Sequence, residues 1–342
     1  MRWPTLLLLA LLPLSAFSLI AGWLLWTERN PASERELRIT AQEQLEEWFP
    51  EAMSLPPELE GFQRPAIMTS AEQPDVILVH GLDEPGGIWD DLLPALAEAG
   101  MVAWEFRYPN DQAVDFSADL LAEYWETLDG DAVYLVGHSM GGLVIRDFVS
   151  RWRHPVDGTA VVAGPQVPGV ILVGTPNHGS DWSRFRAWLE IREWIADIPE
   201  GRLSPLAGLR HGTGAAKIDL RPDSPFLADL NQRPWPQSVA VAIIGGQLTE
   251  PTDEVLDGLD ELLPEARVER LRPRLELWWR EAGDGLGDGA VSIESLRIAG
   301  QPEPVIVPAS HRGLLVRMPW SDEEPPAIAL VVAQIKAWMD VD

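Results

Sequence analysis

The stretch "VYLVGHSMGGLV", residues 133–144, carries the reading of the whole chain. Just before and within it, "AVYLVG" over 132–137 is a continuous apolar run with β-branched residues, the mark of a strand buried on both faces. From Met140 onward, "MGGLVIRDFVSRW" spaces its apolar residues as a helix does. Ser139 stands between the two, with glycines at 137, 141 and 142 where a strand-to-helix turn must be tight. A serine there is lifted clear of the sheet edge, beside the N–H groups of a helix N-terminus. The alternative is a glycine-rich turn with no chemistry. G-x-S-x-G fixes only three residues, so the choice rests on a histidine and a carboxylate further along.

Outward from this turn the same alternation repeats. "DVILV" (75–79) and "MVAWEFRY" (101–108) read as strands, and "WDDLLPALAEAG" and "VDFSADLLAEYWETL" read as helices. Later strands are expected at 169–174, 239–246 and 304–309, and a last helix at "PAIALVVAQIKAWM". Strand and helix in alternation predict an α/β fold: a mostly parallel central sheet with helices on both faces. A long excursion over 180–235 includes "WSRFRAWLEIREWIADI", rich in aromatic and aliphatic residues. It reads either as a core-packed crossover or as a helical lid over an active-site mouth.

A serine hydroxyl needs a base to accept its proton. The chain has six histidines, at 80, 138, 154, 178, 211 and 311. His138 adjoins Ser139, so its side chain points away from the hydroxyl. His154 and His211 lie in polar, arginine-bearing stretches. His80 and His178 lie in loops at strand ends, where they can orient the mouth. His311, in "PVIVPASHRGLL", comes after the last expected strand and is the expected general base. Chain order Ser, Asp or Glu, His puts the acid between them. "AGDGLGDGAVSIESL" offers Asp284 and Asp288, and Asp288 is favoured because it leads into the apolar pair Ala290-Val291. Such an acid fixes the imidazole tautomer and stabilises the imidazolium. An oxyanion hole would take backbone N–H groups from Met140 and from the loop "HGLDEPGGIW", at Leu82.

Charge narrows the partners. Of 342 residues, 26 are Lys or Arg and 53 are Asp or Glu, a formal net charge of -27. Such a surface repels phosphate backbones, which argues against nucleic acid, and it disfavours anionic substrates. The absence of cysteine excludes disulfides, thiolate metal sites and a cysteine nucleophile. No H-E-x-x-H run, Walker lysine or dinucleotide fingerprint is present. At the other end, "TLLLLALLPLSAFSLIAGWLLW" (5–26) runs without a charge. Its length fits a membrane-spanning helix, with Trp23 and Trp26 near an interface, better than the apolar core of a cleaved signal. The expected organisation is therefore an anchor or signal segment over 1–30, a juxtamembrane linker over 31–60 bearing the helix "SERELRITAQEQLEEWF", and a catalytic domain over 61–342. That places the domain outside the cytoplasm, anchored to the membrane or secreted after cleavage.

"VILVHGL", "VYLVGHSMGG", "LVGTPNHGS", "GDGAV" and the "SH" of 310–311 together resemble α/β-hydrolases of the bacterial triacylglycerol lipase and esterase type, and more loosely the GPI-inositol deacylases. The likeness covers about residues 74–315, with "SPFLADLN" resembling a segment that comes after the lid. It implies the α/β-hydrolase fold and a triad of Ser139, Asp288 in a D-G-x-V turn, and His311. Leu82 then supplies an oxyanion N–H, and His178 lies in a loop beside the mouth. No cofactor is implied. Some members bind structural calcium near the acid and histidine loops, though no ligand set is legible here, and many carry a disulfide that this chain cannot form.

The chemistry so expected is hydrolysis of an uncharged, lipidic carboxylic ester through an acyl-enzyme. An acyltransferase or thioesterase using the same triad is the alternative. A membrane-tethered binding protein that kept the fold and lost the chemistry is a third.

Overall fold

Short apolar runs with no charge inside them have nowhere to go but the middle of a sheet. In the computed structural model, which describes residues 22–23, 25–65, 73–82, 87–156, 158–180, 212–248, 287–318 and 323–340, they do so. Chain order is α1 (Pro31–Trp48), α2 (Pro50–Met53), β1 (Gly61–Gln63), β2 (Val76–Val79), α3 (Leu92–Glu98), β3 (Ala103–Arg107), α4 (Val114–Trp125), β4 (Tyr134–His138) and α5 (Met140–Phe148). Next come β5 (Gly169–Val173), α6 (Ala215–Asp219), α7 (Pro225–Gln232), β6 (Ala240–Gln247), β7 (Val305–Pro308) and α8 (Pro326–Met339).

The described strands form one sheet in the order β1-β3-β2-β4-β5-β6-β7. Every neighbouring pair is parallel except β1 with β3. β2 through β7 fall on the apolar runs named above. β1 does not, because three residues of Gly-Phe-Gln carry no periodic signal; it is fixed by pairing Phe62 with Phe106.

Alternation along β2 divides the core. Ile77 and Val79 join one apolar cluster with α4 and α5, while Val76 and Leu78 join the other with α3 and α8. This is the period-two geometry of a strand covered by helices on both faces. Each of these four side chains is fully buried, and each such burial stabilises by about 1.5–3 kcal/mol.

The N-terminal region corrects the sequence reading. Among the described residues no helix is long and apolar enough to cross a membrane, so the expected transmembrane helix is not found there. Residues 1–21 lie outside the described residues. At the described end of that apolar stretch, Trp23 and Trp26 stack on each other at 5.4 Å. Within the expected linker the helix read from the sequence is α1, and it docks on the body through polar contacts. Arg35 Nε donates to Asp219 Oδ1 at 2.6 Å and its Nη2 to Asp115 Oδ1 at 2.7 Å. Arg221 Nη2 reaches Glu34 Oε2 at 2.9 Å, and Thr213 Oγ1 donates to the Arg38 carbonyl at 2.6 Å. Periodicity showed the helix; nothing local showed partners this far along the chain.

Candidate active site

The turn between β4 and α5 is built as the sequence implied. Ser139 sits at φ 55°, ψ −128°, a region that costs a residue with a Cβ of order 1–3 kcal/mol and persists only where its surroundings enforce it. Two backbone bonds do so: Ser139 N–H donates to the Val173 carbonyl at 2.9 Å, and Gly142 N–H to the Ser139 carbonyl at 3.1 Å. Close packing adds to them. A Cβ on Gly141 would stand 2.0 Å from the Val79 carbonyl oxygen, and one on Gly81 would stand 2.8 Å from Ser139 Cβ. Only glycine lets the end of β2 close over the start of α5.

That closure brings Leu82 beside the turn. Among the described residues, neither the Met140 nor the Leu82 backbone N–H meets an acceptor. Met140 is the first residue of α5, so its N–H has no intrahelical partner. The Leu82 loop is braced from below. His80 is buried, its Nδ1 lies 3.0 Å from the Gly81 carbonyl, and its ring stacks on Tyr108 at 4.5 Å. The Tyr108 hydroxyl donates to the His80 carbonyl. The His80 ring nitrogen is thus engaged with the loop's own backbone.

Asp288 and His311 meet. His311 Nδ1 lies 2.7 Å from Asp288 Oδ2. The other carboxylate oxygen accepts from Ala290 N–H at 2.9 Å and Val291 N–H at 2.8 Å. His311 N–H in turn donates to the Asp288 carbonyl at 2.8 Å. The aspartate side chain is fully buried and the imidazole about one-fifth exposed. An acceptor on Nδ1 leaves the proton there and the Nε2 lone pair free to act as a base.

The imidazole lies over the end of β5, where a Cβ on Gly174 would be 3.1 Å from its Cε1. Ser139 is bonded to that same strand end at Val173. Acid and base are in contact, and the serine stands across the end of one strand from them. No hydrogen bond joins the Ser139 hydroxyl to His311 among the described residues.

His178 is exposed on the rim. Its N–H donates to the Ser295 carbonyl at 3.2 Å and to Ser295 Oγ at 3.1 Å. Asp284 lies outside the described residues, as does 181–211, the greater part of the lid candidate. Its described remainder forms α6 and α7. Among the described residues no group of three or more His, Cys, Asp or Glu could hold a metal. Both Asp288 oxygens are engaged by protein groups, so this carboxylate does not suit a calcium ligand.

Two residues escaped the sequence reading, and a third was read only as turned away from the serine. Arg146, buried on α5, donates to Asn177 Oδ1 at 3.0 Å and to Asn231 Oδ1 at 2.9 Å. Burial away from a carboxylate hydrogen bond lowers its guanidinium to about 10. Asn177 Nδ2 continues to the Leu296 carbonyl at 2.6 Å, so one network links the serine's helix, the loop after β5 and the turn after Asp288. The third is His138, buried beneath His311. Buried Arg and His appear in the sequence only as polar letters in apolar helices and strands, and their partners lie too far along the chain to be inferred.

The sequence profile of the Alpha/beta hydrolase family matches residues 76–328. No curated protein matches the chain. Among solved structures, a metagenomic carboxyl esterase shares 17% identity over 79% of this chain and 77% of its own, with a TM-score of 0.52. Phospholipase PlaB from Legionella pneumophila shares 16% over 78% of this chain and 60% of its own, with a TM-score of 0.50. The mature form of a Bacillus licheniformis lipase shares 19% over 73% and 90%, with a TM-score of 0.45. The profile spans most of the chain and includes the elbow, the acid and the base, and the chain belongs to the alpha/beta hydrolase family.

Proposed function

We propose that this protein hydrolyses uncharged carboxylic esters through an acyl-enzyme on Ser139. The observation that carries the reading is the pairing of Ser139 at its positive-φ turn with the buried Asp288–His311 contact of 2.7 Å at the same edge of the sheet. The carboxyl esterase that shares the fold supports the substrate class.

In this mechanism Ser139 Oγ attacks the ester carbonyl carbon as His311 Nε2 takes its proton. Met140 and Leu82 N–H groups receive the negative charge that develops on the carbonyl oxygen. The protonated His311 then passes its proton to the departing alcohol, leaving the acyl group on Ser139. Water, deprotonated by the same Nε2, attacks that ester, and the acid leaves as Ser139 regains its proton. Asp288 compensates the imidazolium at each stage, anchored by two backbone N–H groups so that it need not reorganise. A net charge of -27 disfavours an anionic substrate.

A fluorophosphonate probe tests the reading. Labelling of the folded protein that vanishes in Ser139→Ala is the expected result, and a folded wild-type protein that does not label overturns it. A series of acyl esters of increasing chain length then defines the substrate, with rates that rise with chain length expected for a lipidic ester.

A further inference from the structure

Directly behind the base lies a side chain that the mechanism leaves unused. His138 closes β4, where alternation turns its side chain to the face opposite α5. There it is buried, its ring centroid 4.8 Å from that of His311 and its edge toward Trp89. His138 Nε2 lies 3.2 Å from the His311 carbonyl oxygen. A carbonyl can only accept, so Nε2 carries the proton. Among the described residues, His138 Nδ1 is buried with no hydrogen-bond partner. A second proton there would leave an N–H buried and unsatisfied, which disfavours the imidazolium.

Electrostatics press the same way: burial first, then His311, with smaller contributions from Arg312 and His80, hold its basicity well below the usual histidine range, against the opposing pull of its hydrogen bond to the His311 carbonyl. The Asp288 carboxylate is engaged on Nδ1 of His311.

We propose that His138 is a positioning residue for the His311 base, its Nε2–H fixing the His311 main chain while its neutral ring backs the imidazole. The inference rests on the triad reading above. His311 is then held at three points: the side chain and N–H by Asp288, and the carbonyl by His138. A neutral ring also matters for charge. His311 becomes an imidazolium twice per turnover, and a second cation 4.8 Å away would oppose it each time.

Gln and Asn separate this role from simple space filling. The amide nitrogen of Gln reaches the position of the imidazole Nε2, whereas that of Asn stops near Nδ1, short of the His311 carbonyl. His138→Asn and His138→Phe are expected to lower kcat about 10- to 100-fold, the usual effect of a small misplacement of a reacting group, with KM within about twofold. His138→Gln is expected to restore kcat to within a few-fold of wild type. Nitrogen chemical shifts of the His138 ring should show a neutral ring protonated at Nε2, unchanged from pH 5 to pH 8. Equal kcat for the folded Gln and Asn variants, or a ring protonated at Nδ1 in that range, overturns the proposal. Fluorophosphonate labelling keeps the two readings apart: if wild type labels and His138→Phe labels as fast, the positioning role falls and the triad stands. If folded wild type does not label at all, the triad reading itself has failed.

Discussion

Asp288 and Asp219 are both fully buried, and they are held in opposite ways. Asp288 is surrounded by its own turn: the N–H groups of Ala290 and Val291 take one oxygen, and His311 takes the other. Asp219 accepts one backbone bond, from Val114, and otherwise depends on Arg35 of α1. Burial pushes the Asp219 carboxyl up to about 6 against the pull of that guanidinium. Arg35 is itself moved the other way, to stay charged more firmly, chiefly by Asp219 acting against its own burial. Since the guanidinium stays charged throughout, the carboxyl's own balance governs its titration. One carboxylate is solvated by local backbone; the other is balanced by a distant helix.

The contrast is sharpest in activity. Asp288→Asn should keep its backbone bonds while presenting an amide to His311, and kcat should fall roughly ten-thousand-fold, as in other triads that lose the correct tautomer. Thermal unfolding should change little by comparison. A kcat near that of wild type would put the acid elsewhere.

Stability should show the reverse. Arg35→Ala leaves a buried carboxylate without its counter-charge, and removing one partner of such a pair costs about 3–5 kcal/mol. Urea unfolding measures this, and kcat of the folded fraction should stay near wild type. Replacing both partners, Arg35→Met with Asp219→Leu, should recover most of the loss, because an apolar pair carries no desolvation penalty.

Acid reports on Asp219 directly. Its folded value, about 6, lies above the ordinary 3.8, so between these the native state binds the extra proton. The stabilisation from this group is complete below about pH 4 and lost as pH rises through 6. Comparing Tm of wild type and Asp219→Asn across pH 4 to 6.5 should reveal this component in wild type alone. A component of opposite slope would mean that Arg35 wins over burial. The smallest effect is expected at the surface: Arg297, paired with Glu294 at 3.0 Å with both side chains exposed, should tolerate Ala within about 0.5 kcal/mol.

Legibility in the sequence divides along the same line. Strands β2, β4 and β5 could be read because a doubly covered strand has a contiguous apolar alphabet. Ser139, Asp288 and His311 could be singled out because each sits in a turn whose neighbours mark it, and the structure brings the last two into contact. β1 is too short to show a period. The Asp219–Arg35 pair spans 184 residues and the His138–His311 contact 173, and no local pattern encodes a meeting over such distances. The apolar N-terminal segment misled for a related reason: hydropathy counts residues but does not show that the helix beyond it closes on the protein's own charges.

The docking of α1 also sets an order of events during synthesis. Arg35 leaves the ribosome 184 residues ahead of Asp219, roughly 10–40 s earlier at ordinary translation rates. Asp115, only 80 residues on, reaches it in less than half that time. The nascent helix can therefore clasp α4 first and await its second carboxylate. On this order α1 is fully fastened only once α6 has emerged, and a ribosome stalled between these two aspartates would hold it half fastened.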